Sequence, residues 1–131
     1  MIKGLAHVAV TVGDLERSLR FYCDLLGFEV SRSRELPDGR RIVFLGVAGG
    51  YALELFGLPS TRPLPEGAAA QEVVGVKHIA LEVADMDATY QRLKAQGVAF
   101  QSEPRQVPES GVKIASLLDP DGLRIELVQF L

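Results

Sequence analysis

Cysteine, tryptophan and histidine are scarce in this sequence of 131 residues, which has one cysteine (Cys23), no tryptophan and two histidines. A single cysteine cannot form a disulfide within the chain, which is typical of a protein from a reducing compartment, and we therefore expect a cytoplasmic protein. No apolar run approaches the roughly 18 residues of a membrane span. The first residues run into a strand pattern without a small-residue cleavage site, so we expect no signal peptide.

An excess of positive charge is also missing, because 14 Lys and Arg stand against 17 Asp and Glu, a formal net charge of −3. Proteins that bind nucleic acids or anionic membranes normally carry a basic patch, so the composition argues against both kinds of partner. Hydrophobic residues make up 47% and charged residues 24% of the chain. This balance and this length favour one compact globular domain that can bury a core.

The two halves of the sequence resemble each other. Residues 4–10 (GLAHVAV) match residues 75–81 (GVKHIAL) at an offset of 71 positions, from His7 to His78. Later landmarks keep nearly the same offset, since residues 53–55 (LEL) match residues 125–127 (IEL) at 72. Self-similarity at a nearly constant spacing predicts an internal duplication.

Each half has the same predicted order of elements, namely a strand, a helix and three more strands. Residues 4–12 alternate as a strand, and the helices begin at the N-cap candidates Asp14 and Asp85 and end at Gly27 and Gly97. The later strands are predicted near 28–34, 41–46 and 51–56 in the first half, and near 98–103, 112–118 and 123–129 in the second. The sequence therefore predicts an α+β protein with two βαβββ modules, at about 1–57 and 75–131, joined by a proline-containing linker at 58–74.

Four residues of metal-ligand type lie at equivalent places in the two modules. His7 and His78 are predicted on the first strands, and Glu54 and Glu126 on the last strands, each glutamate between apolar neighbours. A carboxylate that points into an apolar sheet needs a compensating partner. Two neutral imidazoles and two carboxylates suit one divalent cation, which we expect to be Zn, Ni, Co, Fe or Mn.

These segments resemble the vicinal oxygen chelate superfamily, which includes glyoxalase I. The resemblance covers essentially the whole chain and is most specific in FYCDLLGF and in DPDGLRIEL. It implies an incomplete eight-stranded barrel whose cavity holds one metal ion, with His7, Glu54, His78 and Glu126 as ligands. It also implies a small-molecule substrate and a homodimer, with the barrel formed either within one chain or across two.

The resemblance to glyoxalase-like members implies a lyase or isomerase similar to lactoylglutathione lyase. Such enzymes polarise a substrate carbonyl on the metal and move a proton at the adjacent carbon. Glu126 and Glu54 are the candidates for the acid/base pair. We expect Glu126 to be the base, because the equivalent glutamate has this role in relatives.

Four other classes in the superfamily are alternatives to this function. Extradiol dioxygenases commonly need a third histidine, which this chain lacks, and antibiotic-binding members lack the metal residues. An isomerase similar to methylmalonyl-CoA epimerase usually has a His-Pro-Lys run before its last ligand, where this chain has Leu-Leu-Asp-Pro-Asp-Gly. Fosfomycin-modifying members also have no carboxylate at the position of Glu54. A glyoxalase-like enzyme is therefore the favoured hypothesis.

Two departures from glutathione-using glyoxalases concern the substrate. Many of those enzymes have an arginine where this chain has Thr11, and an asparagine where it has Leu58. Both changes remove donors for glutathione, so the substrate need not be a glutathione adduct. As substrate-contacting residues we consider the following: Thr11, Phe56, Lys113 and Arg124.

Overall fold

The computed structural model describes residues 1–131, and the chain divides into two compact units, Met1–Pro63 and Leu64–Leu131. Each unit contains one four-stranded sheet with a helix between its first two strands, and the second unit also has a short 3-10 helix (Ala68–Ala70). This confirms the α+β class and the order βαβββ in both modules. No helix of the structure has both the length and the apolar character needed to cross a membrane.

The strands of the first unit form one sheet in the order β1-β4-β3-β2. Its strands are β1 (Val8–Val12), β2 (Glu29–Glu35), β3 (Arg41–Gly46) and β4 (Leu53–Gly57). Strand β1 runs parallel to β4, whereas β3 is antiparallel to both of its neighbours. Because β1 pairs only with β4, it is an edge strand of this sheet.

The helix of the first unit begins as predicted and then changes its winding. The Asp14 side chain accepts a hydrogen bond from the backbone N–H of Arg17 and caps helix α1 (Leu15–Leu19), which continues as a π-helical segment (Arg20–Leu25). Gly27 follows with a φ of 85°, a left-handed conformation that favours glycine at a helix end. The predicted capping residues are therefore correct, but the wider π turn alters which side chains face the sheet.

The buried face of this helix is formed mainly by Ser18, Phe21 and Tyr22. Tyr22 and Ser18 are fully buried and Phe21 is nearly so, whereas Leu15 and Leu19 are only half-buried. Tyr22 packs edge-on against Phe21, with ring centroids 5.1 Å apart. In the π segment the hydrogen bonds span five residues where an α-helix spans four, and both buried aromatic residues lie in this wider turn.

The second unit repeats this arrangement with the order β5-β8-β7-β6. Its elements are β5 (Ile79–Glu82), helix α2 (Met86–Ala95), β6 (Arg105–Val107), β7 (Val112–Leu118) and β8 (Arg124–Phe130). Asp85 caps α2 by accepting from the backbone N–H of Ala88, and Gly97 follows with a φ of 84°. Strand β5 is parallel to β8 and lies at the edge of its sheet.

The predicted strand at 98–103 is wrong. Phe100 makes only an isolated bridge to Leu117, and the strand of this region is β6, further along the chain. The backbone N–H groups of Gln101 and Ser102 both donate to the carbonyl of Ser116, which interrupts a regular ladder. Proline at 104 has no N–H to continue it.

Both sheets bury apolar side chains of their central strands on one face. On β4, Leu53 and Leu55 are at most 2% exposed, and on β8 the same holds for Ile125 and Leu127. Burying each such side chain stabilises the fold by about 1.5–3 kcal/mol. Since side chains alternate along a strand, the glutamate between each pair faces the opposite side. The core therefore fixes where both glutamates point.

Candidate metal centre

His7 and Glu54 lie side by side in the first unit. His7 comes one residue before β1 begins, and the backbone N–H of Val8 donates to the carbonyl of Ala52. The parallel register then pairs Ala9 with Glu54. His7 Nε2 is 3.5 Å from Glu54 Oε2, and the two side chains are 35% and 13% exposed.

His78 and Glu126 repeat this geometry in the second unit. His78 precedes β5 by one residue, and the register pairs Ala80 with Glu126, the same relation as in the first unit. His78 Nε2 is 3.6 Å from Glu126 Oε1, and the side chains are 28% and 17% exposed. The internal duplication therefore places an imidazole and a carboxylate together twice, although neither histidine lies within its strand as predicted.

The donor atoms of each pair suit a cation better than a direct hydrogen bond. Separations of 3.5 and 3.6 Å exceed the 2.7–3.2 Å typical of N–H···O bonds. Two nitrogen or oxygen ligands of one tetrahedral ion, each about 2.1 Å from it, lie about 3.4 Å apart. Each glutamate is also largely buried without a lysine or arginine as ion-pair partner. The chemistry of both pairs therefore fits a divalent cation.

Each pair by itself is an incomplete ligand set. Nowhere in the structure do three or more His, Cys, Asp or Glu side chains form a group that could hold a metal ion. A four-coordinate ion takes two donors beyond those that one pair supplies. The structure brings together His7 with Glu54 and His78 with Glu126, and the role of all four as ligands of one ion stays a prediction.

Tyr51 was missed by the sequence analysis and contacts the first pair directly. Its hydroxyl donates a hydrogen bond to Glu54 Oε1, and its ring centroid is 5.3 Å from that of His7. Partial burial of the phenol, together with the hydrogen bond to Glu54 and the charge of Glu54, raises the pKa of Tyr51 to about 12. The hydroxyl therefore keeps its proton at neutral pH and acts as a donor.

Two further side chains surround Tyr51. The Phe44 ring lies 5.6 Å from the Tyr51 ring, and the register pairs Phe44 with Glu54 across β3 and β4. The guanidinium of Arg32 stacks on Phe44 at 4.3 Å. The aromatic pair of Phe44 and Tyr51 has no counterpart in the second half of the chain. At the offset of 72 the equivalent positions are Ser116 and Leu123. A search for repeated residues therefore had no signal for Tyr51.

The surroundings of the second pair are polar and aliphatic. Arg124 Nη2 donates to Ser116 Oγ over 3.2 Å, and Ser116 is the register partner of Glu126. Arg124 Nε and His78 Nδ1 are buried without a hydrogen-bond partner in the chain. The structure shows no hydrogen bond donated to Glu126, so the two glutamates differ in how firmly they are held.

Three of the four candidate substrate contacts lie on a sheet face that carries one of the glutamates, and the fourth does not. Thr11 and Phe56 are register partners on the face that carries Glu54, and Arg124 lies on the face that carries Glu126. Lys113 is placed differently, because it forms an ion pair with Asp87 of α2. It pairs in register with Gln129, so it points to the face opposite Glu126. The structure therefore does not bring Lys113 to the second pair.

A family model and known relatives match nearly the whole chain. The family model described as the Glyoxalase/Bleomycin resistance protein/Dioxygenase superfamily matches residues 4–127. A probable lactoylglutathione lyase from Synechocystis sp. is 34% identical over 129 residues, which cover 95% of this chain and 94% of the relative.

Solved structures agree with this match. A glyoxalase family protein from Enterococcus faecalis superposes with a TM-score of 0.80 at 28% identity, covering 96% of this chain and 97% of the other. TnmS3, an antibiotic binding protein from Streptomyces sp., superposes with a TM-score of 0.74 at 26% identity, covering 99% and 98%. The fold is therefore shared by proteins with different roles.

Proposed function

The chain belongs to the glyoxalase/bleomycin resistance protein/dioxygenase superfamily, and on this basis we propose that it is a metal-dependent lyase or isomerase of the glyoxalase type. The observation that carries the proposal is the repeated pair of imidazole and carboxylate, with donor separations of 3.5 and 3.6 Å. A pure binding module has no need for two such pairs at equivalent register positions.

The residues that would hold the cation are the four members of the two pairs: His7, Glu54, His78 and Glu126. Each pair supplies two donors, so a complete set takes both pairs, from one chain or from two copies of it. A bound divalent cation supplies Lewis acidity toward a substrate carbonyl, which acidifies the adjacent C–H bond. Its identity among Zn, Ni, Co, Mn and Fe is open, because imidazole and carboxylate suit all five.

Residues of this chain would act as the base, contact the substrate and bind an anionic group. Glu126 takes the proton from the carbon next to the carbonyl and returns it to the product, a role that needs a carboxylate within hydrogen-bond reach. Phe56 and Thr11 line the face beside Glu54 and would contact the body of the substrate. Arg124, which has no carboxylate partner, would bind an anionic group.

The proposed substrate is a small α-hydroxycarbonyl, α-oxo or thioester compound that need not contain glutathione. Thr11 and Leu58 stand where many glutathione-using relatives have donors. Arg124 instead offers a guanidinium beside Glu126, which favours a compact substrate with its own carboxylate or phosphate.

A substrate panel tests this function. Chelator-treated protein and protein reloaded with each of the five metals are assayed with α-oxo compounds, with and without glutathione, and with thioesters and catechols. We expect turnover of a carbonyl compound only in reloaded protein. Arg124→Gln should raise KM for anionic substrates about tenfold or more, the effect of losing one charge-assisted hydrogen bond, and leave KM for neutral ones unchanged.

Two other outcomes would contradict the proposal. Oxygen consumption with a catechol and Fe(II) would assign the chain to the dioxygenases. Tight stoichiometric binding of a drug-like compound without turnover would assign it a binding role, which the structural likeness to TnmS3 makes the second candidate. Arg41→Gln is the matched control for Arg124, since Arg41 forms an ion pair with Glu16 of α1.

We also propose that the protein is a homodimer. The edge strands β1 and β5 are preceded by exposed apolar side chains, among them Ile2, Leu5, Val74 and Val76. Exposed strand edges and apolar residues favour association. Sedimentation equilibrium at micromolar concentration should give twice the chain mass of 14.2 kDa. A single species at the chain mass would contradict the homodimer.

A further inference from the structure

The two halves of the candidate metal centre differ in one respect that the duplication does not predict. Both glutamates sit at the same register position beside a histidine. Glu54 accepts a hydrogen bond from Tyr51, whereas Glu126 accepts none within the chain. Two equivalent carboxylates, of which only one accepts a hydrogen bond, are suited to different roles.

Tyr51 holds one of the two carboxylate oxygens of Glu54. The phenol takes Oε1 of the carboxylate, and Oε2 is the oxygen that faces His7 Nε2. The Tyr51 ring is itself held between the rings of His7 and Phe44, at 5.3 and 5.6 Å. One carboxylate oxygen is thus occupied by a protein donor, and the other is presented beside the imidazole.

This contact resembles the outer-shell hydrogen bonds that orient metal ligands. Partners of this kind fix the orientation of a ligand and reduce its freedom to leave the position that binds the metal. With Oε1 held by Tyr51, Glu54 would offer a single oxygen and could not swing toward a substrate without breaking the hydrogen bond. Glu126 has no such tether.

We propose that Tyr51 is a positioning residue that holds Glu54 as a fixed ligand of the proposed metal ion. The proposal rests on the proposed metal-dependent function. It adds a residue that the repeat does not reveal, and it gives a structural reason for the two glutamates to have different tasks.

A role in stability alone does not account for the contact. Tyr51 is 40% exposed, so removing its hydroxyl uncovers no core. Tyr51 lies between the Gly49-Gly50 turn and β4, outside the regular strand pairing. The effect of Tyr51→Phe should therefore appear in metal binding and not in the temperature of unfolding.

The test uses the full chain, stripped with chelator and titrated with Co(II), and it needs no substrate. Tyr51→Phe should weaken Co(II) binding by about ten- to a hundredfold, the usual effect of losing an outer-shell partner, and should change the visible absorption of the bound Co(II). Tyr90→Phe is the matched control, because the Tyr90 hydroxyl is bonded to Lys94 on α2. It should leave affinity and spectrum as in the unmodified chain.

A second comparison shows whether Tyr51 acts through Glu54. In a Glu54→Ala background the change Tyr51→Phe should weaken Co(II) binding no further, because the carboxylate that the phenol orients is gone. Equal weakening in both backgrounds would overturn the proposal, as would Co(II) affinity and spectrum unchanged by Tyr51→Phe. Failure of the unmodified chain to bind Co(II) would overturn the metal site itself, a result distinct from the other two.

Discussion

Replacing Glu126 with glutamine should slow proton exchange at the reacting carbon of a substrate by at least about a hundredfold while the metal stays bound. A positioned base contributes about a hundredfold or more to the rate of proton transfer. Glutamine keeps an oxygen that can act as a ligand but has no basic site. The measurement is deuterium incorporation from D₂O, followed by NMR with a substrate that the panel identifies, beside the metal content of each variant.

Two companion variants make this result specific. Glu54→Gln tests the equivalent carboxylate, which Tyr51 holds, and we expect a smaller loss of exchange than with Glu126→Gln. Glu66→Gln removes an exposed carboxylate outside both sheets and should leave exchange unchanged. Normal exchange in Glu126→Gln with loss in Glu54→Gln would reverse the two roles. Normal exchange in both, with metal bound, would exclude them as bases.

Removing either histidine should abolish stable metal binding. We expect one divalent ion per chain in protein purified without chelator, and binding at least about a hundredfold weaker in His7→Ala and His78→Ala, since even outer-shell changes cost up to that much. Elemental analysis after dialysis measures the metal content. The chain has no third histidine to substitute for either one. Equal metal content in the unmodified chain and a doubly substituted His7→Ala/His78→Ala chain would contradict the site.

Mixing the two single variants shows whether one site uses one chain or two. If the site spans two copies, a mixed dimer has one site without histidine and one with both, so metal binding returns in part. If the site lies within one chain, every site in the mixture lacks one histidine and no binding returns. The Tyr90→Phe chain, mixed with each variant in turn, controls for the effect of exchange between dimers.

The sequence alone was sufficient to predict that two histidines and two glutamates stand at equivalent places in the two halves. Hydrophobic patterning predicted strands around Glu54 and Glu126, and the duplication predicted that His7 and His78 occupy equivalent positions. Both predictions depend on local periodicity and on a repeated register, which a sequence expresses directly. The caps at Asp14 and Asp85 and the glycines at 27 and 97 are equally local, and the structure confirms them.

The errors lie where a residue's environment depends on a neighbouring element. Lys113 was considered as a substrate contact, and the pairing of β7 with β8 places it on the side of α2 and Asp87. The strand at 98–103 was assigned from its composition, but the approach of two N–H groups to one carbonyl breaks the ladder there. Neither arrangement can be deduced from spacing, because both depend on how separate strands meet.

The sequence by itself determined the α+β class, the two modules and the equivalent positions of the four candidate ligands, because alternation and repetition are properties of the chain. Only the tertiary structure decided which atoms face each other. It brought the Tyr51 hydroxyl onto Glu54, left Glu126 without a donor and placed Arg124 beside Ser116. The physical reason is that a hydrogen bond forms only within a narrow range of donor–acceptor distances, about 2.7–3.2 Å for N–H···O. For side chains from different parts of the chain, strand register and packing set that distance.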